Sequence, residues 1–222
     1  MDFRAVIFDL DGTILDTLGD LHAAMNEALR KNGYPMHDLL FIKNAIGSGV
    51  RELTRRSLPQ DLRQDEETVD FVCAQMKEYY LEHWNVTTHP YEGIHELLRF
   101  LTGIGVSVNV LSNKADSATQ KMVPYWYSDI TFDYIFGERK GIPTKPDPTS
   151  AKELSALLGI APEHILFVGD SAADILAAKG AGMHSAGVLW GYRSKAVLQD
   201  AGAEFLAESP KDIADLFSES KP

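Results

Sequence analysis

The sequence predicts an α/β fold: a mainly parallel sheet with helices on both faces, interrupted by an all-helical insertion. Three observations predict it. Short apolar runs of strand length recur along the chain, several of them ending in a glycine or an acidic residue. In the second half these runs alternate with amphipathic helical patterns, which implies right-handed crossovers and parallel pairing. Between the first run and the others lies a stretch whose apolar residues recur only at helical spacing.

In chain order, residues 4–8 (Arg-Ala-Val-Ile-Phe) read as a buried strand that meets a polar turn, Asp9-Leu-Asp-Gly-Thr13. Similar runs at 106–111, 165–168 and 184–188, with shorter ones at 134–136 and 204–206, complete the expected sheet. Helical patterns at 92–101, 150–158, 172–181 and 211–217 lie between them. Residues 16–90 break this rhythm. Leu18, Leu21, Met25 and Leu29 form one apolar stripe, and Val69, Val72, Met76, Tyr79 and Tyr80 form another. The expected division is therefore a core of residues 1–15 and 91–222 and a helical cap of residues 16–90, joined through 16–19 and 85–90. An insertion directly after the first strand sits above the carboxyl ends of a parallel sheet, where such sheets bind ligands. A lid is the expectation.

Composition removes several classes. The chain has 222 residues, a net charge of −11, 45% hydrophobic residues and a single cysteine, Cys73. That acidic surplus argues against a broad nucleic-acid or anionic-membrane surface, though not against a local phosphate pocket. No apolar run approaches the ~20 residues that span a bilayer, and the N-terminus carries no signal-like apolar segment. One cysteine permits no intrachain disulfide. A soluble, cytoplasmic globular protein is the expectation.

Three predicted strand ends carry polar residues that a structural sheet does not require. In Asp9-Leu-Asp-Gly-Thr13, side chains two apart on extended backbone point the same way, so Asp9 and Asp11 converge. Gly12 permits a sharp turn, and Thr13 adds a hydroxyl. Ser112 and Asn113 close the second strand. Gly169-Asp170 closes the third, with Asp174 four residues later on the same helix face. Lys145 precedes Pro146-Asp147-Pro148 before another helix. Singly, each is an ordinary turn, cap or solvated lysine. Together the carboxylates would repel one another unless a cation lay among them, and hard oxygen ligands suit Mg2+ shared with a phosphate.

Rival chemistries lack their residues. No Gly-Lys dipeptide exists for a nucleotide-binding loop. Tyr79 stands six positions after Cys73, where a cysteine phosphatase needs arginine. His95-Glu96 is followed by Arg99 instead of a second zinc-binding histidine, and the other histidines show no ligand spacing.

At these residues the chain resembles the haloacid dehalogenase superfamily of aspartate-nucleophile phosphatases. The resemblance covers essentially the whole chain and implies a Rossmann-like core with a helical cap. It implies Asp9 as nucleophile, Asp11 as acid and base, Ser112 as the hydroxyl on a phosphoryl oxygen, and Lys145 as the motif lysine. Asp9, Asp170 and the Asp11 carbonyl would hold Mg2+, with Asp174 supporting the site. Asp11 is expected to hold a proton because carboxylates crowd around it, and its presence favours phosphate over halide substrates. Thr13 and Asn113 are expected at the substrate.

In the insertion, Gly47-Ser-Gly49 precedes a helix predicted near Val50, whose amide end favours an anion. Gly47, Ser48 and Arg51 resemble the substrate-specificity loop of phosphoglycolate phosphatases, which makes Arg51 a candidate for a substrate carboxylate. The run Gly187-Val-Leu-Trp-Gly-Tyr-Arg193 resembles the same subfamily, its aromatics more suited to covering the sheet end than to touching substrate. The expected partner is a small-molecule phosphate ester, 2-phosphoglycolate first, bound by a monomer or homodimer with no nucleic acid or membrane. A phosphomutase of β-phosphoglucomutase type shares the motifs. A non-enzymatic phosphoacceptor domain shares the acidic cluster but lacks the insertion.

Overall fold

The computed structural model describes residues 2–218. From the start of the chain its elements are β1 (Ala5–Phe8), β2 (Leu15–Asp16), α1 (Leu18–Lys31), α2 (Leu39–Ala45), α3 (Val50–Ser57) and α4 (Glu66–His83). Then follow β3 (His89–Pro90), α5 (Ile94–Gly103), β4 (Ser107–Ala115), α6 (Asp116–Trp126), β5 (Tyr134–Glu138) and α7 (Thr149–Leu158). The last are β6 (Ile165–Gly169), α8 (Ala172–Ala181), β7 (His184–Val188), α9 (Lys195–Ala201), β8 (Phe205–Ala207) and α10 (Pro210–Ser218). None of the described helices is long and apolar enough to cross a membrane.

The main sheet has six parallel strands in the order β5-β4-β1-β6-β7-β8. The chain runs outward from β1 through β4 to β5, then returns to place β6 on the other flank of β1. Such a reversal opens a crevice at the carboxyl ends of the central strands. The four residues of β1 are fully buried, as an apolar run covered on both sides must be. On one face Ile7, Leu111, Ile165 and Phe167 pack against Leu154 of α7 and Ala177 and Ala178 of α8. The two alanines let α8 lie close to the sheet.

The chain divides into two compact units. One comprises the residues through Leu15 and from Pro90 onward; the other is Asp16–His89. The predicted core began one residue later, at 91. In the helical unit the two expected stripes become the buried faces of α1 (Leu21, Met25, Leu29) and α4 (Val69, Val72, Met76). Asp65 caps α4 by accepting from the Glu67 and Thr68 amides. Asp20, in the first turn of α1, is 2% exposed and gathers the chain leaving the unit. Its carboxylate accepts from the amides of Val86, Thr87 and Thr88 at 2.9–3.1 Å and from both threonine hydroxyls at 2.7 Å.

Several elements depart from the sequence expectation. Strand β4 does not stop at residue 111 but runs on through Ser112, Asn113 and Lys114, with a register shift between Leu111 and Ala115. Helix α6, which is largely polar and contains Pro124, gives no clear apolar stripe, and α9 spans only seven residues. The short β2–β3 pair has too few residues to carry a pattern.

Candidate active site

Asp9 follows β1 directly, and its amide donates to Val168 O of β6 at 2.9 Å, which holds the end of β1 against β6. The next residues fold back on themselves, with the Gly12 amide donating to Leu15 O at 2.8 Å. Gly12 has φ +85°, a left-handed conformation that glycine adopts without strain. Space demands glycine there as well, since a methyl group would collide with Asp170 Oδ2 and the Tyr192 ring. Gly169 and Gly191 are pressed just as closely against Asp174 and Asp170. Small residues thus let three segments converge on the carboxylates.

At the centre is Lys145, 5% exposed. Its Nζ donates to Leu111 O and Asp174 Oδ1, each at 2.7 Å, and stands 2.8 Å from Asp9 Oδ1. The Asn113 side chain clasps the Lys145 backbone, donating to its carbonyl at 2.9 Å and accepting from its amide at 2.8 Å. Asp174 Oδ2 accepts from the Ser171 amide and hydroxyl at the start of α8, at 3.0 and 2.6 Å. Asp170 Oδ2 accepts from the Tyr192 amide at 2.6 Å. These bonds engage one oxygen each of Asp9 and Asp170, and both oxygens of Asp174.

Ligand atoms of Asp9, Asp170 and Asp174 lie within 4.8 Å of one another, and all three residues are buried. Three carboxylates against the single Lys145 ammonium leave two negative charges, the charge that a divalent cation would offset. The protonation equilibria carry the same imbalance. Burial pushes Asp9 up to about 7, with Asp174 and Asp11 adding to the rise against the pull of Lys145. Burial likewise lifts Asp170 to about 8, with Asp174 and Asp9 adding and the Tyr192 amide and Arg193 opposing. Burial disfavours the Lys145 ammonium, yet Asp174 and Asp9 outweigh it and raise its pKa to about 12. The donor set, all oxygen and short of positive charge, fits a hard divalent ion.

Asp11 has a different surrounding from the one expected. Lys114 Nζ bridges both its oxygens at 3.1 and 3.2 Å, with the side chains 7% and 15% exposed. A cation, Lys114, thus faces this residue together with its carboxylate neighbour Asp9. The sequence reading passed over Lys114, although the rule that pairs Asp9 with Asp11 also pairs Ser112 with Lys114 along β4. Ser112 Oγ, in a residue 4% exposed, accepts from the Lys114 amide at 3.2 Å.

Other expected substrate contacts are placed differently. Thr13 is 0% exposed, and its hydroxyl is buried without a hydrogen-bond partner among the described residues. A side chain with no surface does not reach a substrate; Thr13 instead offers its carbonyl to Trp190 Nε1 at 3.0 Å. Asn113 spends its side chain on the Lys145 backbone. In the helical unit, Arg51 donates to Asp70 at 2.6 Å and to Glu66 at 2.5 Å, so the guanidinium expected to seek an anion already holds two. Arg55 also reaches Glu66, and Arg56 holds Glu52 and contacts Ser48 Oγ at 3.4 Å. Gly47 and Gly49 take positive φ, at 115° and 83°, ahead of α3. Of the aromatics after β7, Tyr192 is 7% exposed with its ring against Gly12, and Trp190 is half-buried.

Residues 6–188 match a family model described as haloacid dehalogenase-like hydrolase. Phosphoglycolate phosphatase 1 of Pseudomonas aeruginosa is 32% identical over 213 residues, 95% of this chain and 78% of that protein. Phosphoglycolate phosphatase of Aquifex aeolicus is 33% identical over 213 residues, 96% of each chain. A crystal structure from Lactobacillus delbrueckii subsp. bulgaricus, of a protein proposed to be a phosphoglycolate phosphatase, superposes with a TM-score of 0.90 at 33% identity. That similarity covers 98% of this chain and 99% of the other.

Proposed function

The chain belongs to the haloacid dehalogenase-like hydrolases and is a phosphatase, and on that premise we propose that it hydrolyses a small phosphomonoester through an aspartyl-phosphate on Asp9. The leading substrate is 2-phosphoglycolate, the ester for which the similar P. aeruginosa and A. aeolicus enzymes are named. One observation carries the mechanism: three carboxylates are buried together with one ammonium, which touches only Asp9 and Asp174, and the foremost, Asp9, stands at the sheet's switch point.

Asp9 attacks phosphorus and takes the phosphoryl group, which divides hydrolysis into two easier transfers. Lys145 holds Asp9 by one oxygen and cancels part of the charge that would repel the substrate. Ser112 presents its hydroxyl to a phosphoryl oxygen. Asp11 gives a proton to the departing alkoxide, then takes one from the water that cleaves the phosphoenzyme. Asp9, Asp170 and the Asp11 carbonyl would hold Mg2+, which supplies two positive charges to the phosphoryl oxygens during transfer. Asp174 fixes Lys145 from behind. Lys114 holds the Asp11 side chain in place.

The two duties of Asp11 give a sharp test. Asp11→Asn removes both proton transfers, each worth about 10²–10⁴-fold. p-Nitrophenol departs without a proton, so this variant should release a burst near one nitrophenol per site and then stall with phosphate trapped on Asp9. An alkyl phosphate should give no burst. Rapid quench with phosphoenzyme mass measurement reads the outcome, and wild-type turnover of both substrates would remove Asp11 from this role. Activity that survives excess EDTA would exclude the metal.

A further inference from the structure

We infer that Lys114 is a specificity residue: its ammonium reads an anionic group on the leaving side of the substrate, the carboxylate of 2-phosphoglycolate under the reading above. Asp11 must come within about 3 Å of the ester oxygen it protonates. In 2-phosphoglycolate the carboxylate is joined to that oxygen through a single methylene. This substrate therefore brings a second anion almost onto Asp11, and once Asp11 has given up its proton the two carboxylates repel unless a cation stands beside them. Lys114 Nζ is that cation, 3.1 and 3.2 Å from the two Asp11 oxygens.

Orienting Asp11 calls for a hydrogen-bond donor at this point, but not for a full positive charge. Lys145 and the proposed metal answer the phosphoryl oxygens, which leaves the Lys114 ammonium to face the leaving side of the substrate. The Lys114–Asp11 pair is also enclosed, with the lysine side chain 7% exposed, so its attraction is weakly screened. Lys114 lies on β4, which pairs with β1 through Val110 and with β5 again at Ala115, the residue after it. Arg51, the other cation considered for this task, has its guanidinium on Glu66 and Asp70. A core lysine built into the sheet thus takes the recognition that the sequence assigned to the insertion.

The test compares 2-phosphoglycolate with 2-phosphoglycolamide, which has the same ester and nearly the same size but no carboxylate charge. Wild-type enzyme should favour the acid in kcat/KM. Lys114→Met should lower both rates, because Asp11 loses its support, and should shrink the preference for the acid by roughly 10- to 150-fold. Lys114→Arg should keep most of the preference. Lys114→Gln, which retains a polar head, is measured beside Lys114→Met so that a folding defect in one does not decide the result. An unchanged preference in both neutral variants overturns the inference: Lys114 would then only orient Asp11, while the substrate reading stands. A wild-type enzyme with no preference for the acid overturns the substrate reading and this inference together, and that outcome shows before any variant is made.

Discussion

Asp20 in the helical unit and Asp170 in the sheet unit are 2% and 3% exposed, two carboxylates with equally little surface. Around Asp20 stand three amides and two hydroxyls. Burial alone would raise its pKa, but the Thr87 and Thr88 donors outweigh burial and hold it below the usual carboxylate range. Asp170 has the Tyr192 amide, two carboxylate neighbours and a pKa pushed up to about 8. The first arrangement is complete without a ligand. The second is short of positive charge, and a chain keeps such a cluster only if something cationic completes it. Equal burial therefore separates structure from function only after donors and charges are counted.

The largest expected effect tests the functional side. Asp9→Asn is near-isosteric, but an amide oxygen does not accept the phosphoryl group, so turnover should fall on the order of 10⁴-fold or more. Folding should suffer little, because one member of a mutually repelling cluster has lost its charge and Lys145 keeps Asp174 and Leu111 O. Thermal melting in EDTA is the check. A large loss of stability together with the loss of rate would mean that Asp9 is a structural carboxylate like Asp20.

The converse variant is Asp20→Ala. It strands five donors, and unsatisfied buried groups cost about 1–3 kcal/mol each before relaxation. Water and rearrangement recover part of this, so about 2–4 kcal/mol of the stability of the helical unit should be lost. Denaturant melts measure it. Undiminished stability would show that the threonine segment finds other acceptors.

The contrast also explains what the sequence shows beforehand. The sheet was legible because β1 and β6 are uninterrupted apolar runs and the other strands are largely apolar, and the acidic motifs because they stand at the ends of β1 and β6. Asp20 was not legible, since its donors lie 66 to 68 residues away and nothing in the spacing joins them. Lys114 was half legible. Alternation along an extended segment sets it beside Ser112, but the prediction ended that strand at residue 111, where the polar residues begin. For Arg51 a motif resemblance named the residue but could not show that Glu66 and Asp70 of α4 stand against its guanidinium.

A smaller effect follows from the depressed pKa of Asp20. A carboxyl whose folded pKa lies below its unfolded value stabilises the native state above the unfolded value, near 3.9, and loses that contribution as pH falls through the folded one. Asp20→Asn removes the titration but keeps most of the volume. The stability difference between wild type and Asp20→Asn should be full at pH 6 and shrink below about pH 4. A difference that grew on acidification would reverse the sign assigned to Asp20.

The smallest expected effect concerns Arg51, whose side chain is 45% exposed with partners at 58% and 63%. Exposed ion pairs gain little, because water already solvates both charges and ordering long side chains costs entropy. Arg51→Ala should shift the melting midpoint by no more than about 2–4 °C. Its effect on 2-phosphoglycolate is the sharper question. For Arg51 to reach a substrate carboxylate it must first leave Glu66 and Asp70, so the exchange of one set of ion pairs for another returns little net energy. The loss in kcat/KM should stay below tenfold, and below the loss from Lys114→Met on the same substrate. A larger loss confined to 2-phosphoglycolate, with p-nitrophenyl phosphate spared, would show that Arg51 does leave its partners. Specificity would then rest on the helical unit, as the sequence first suggested, and not on the sheet.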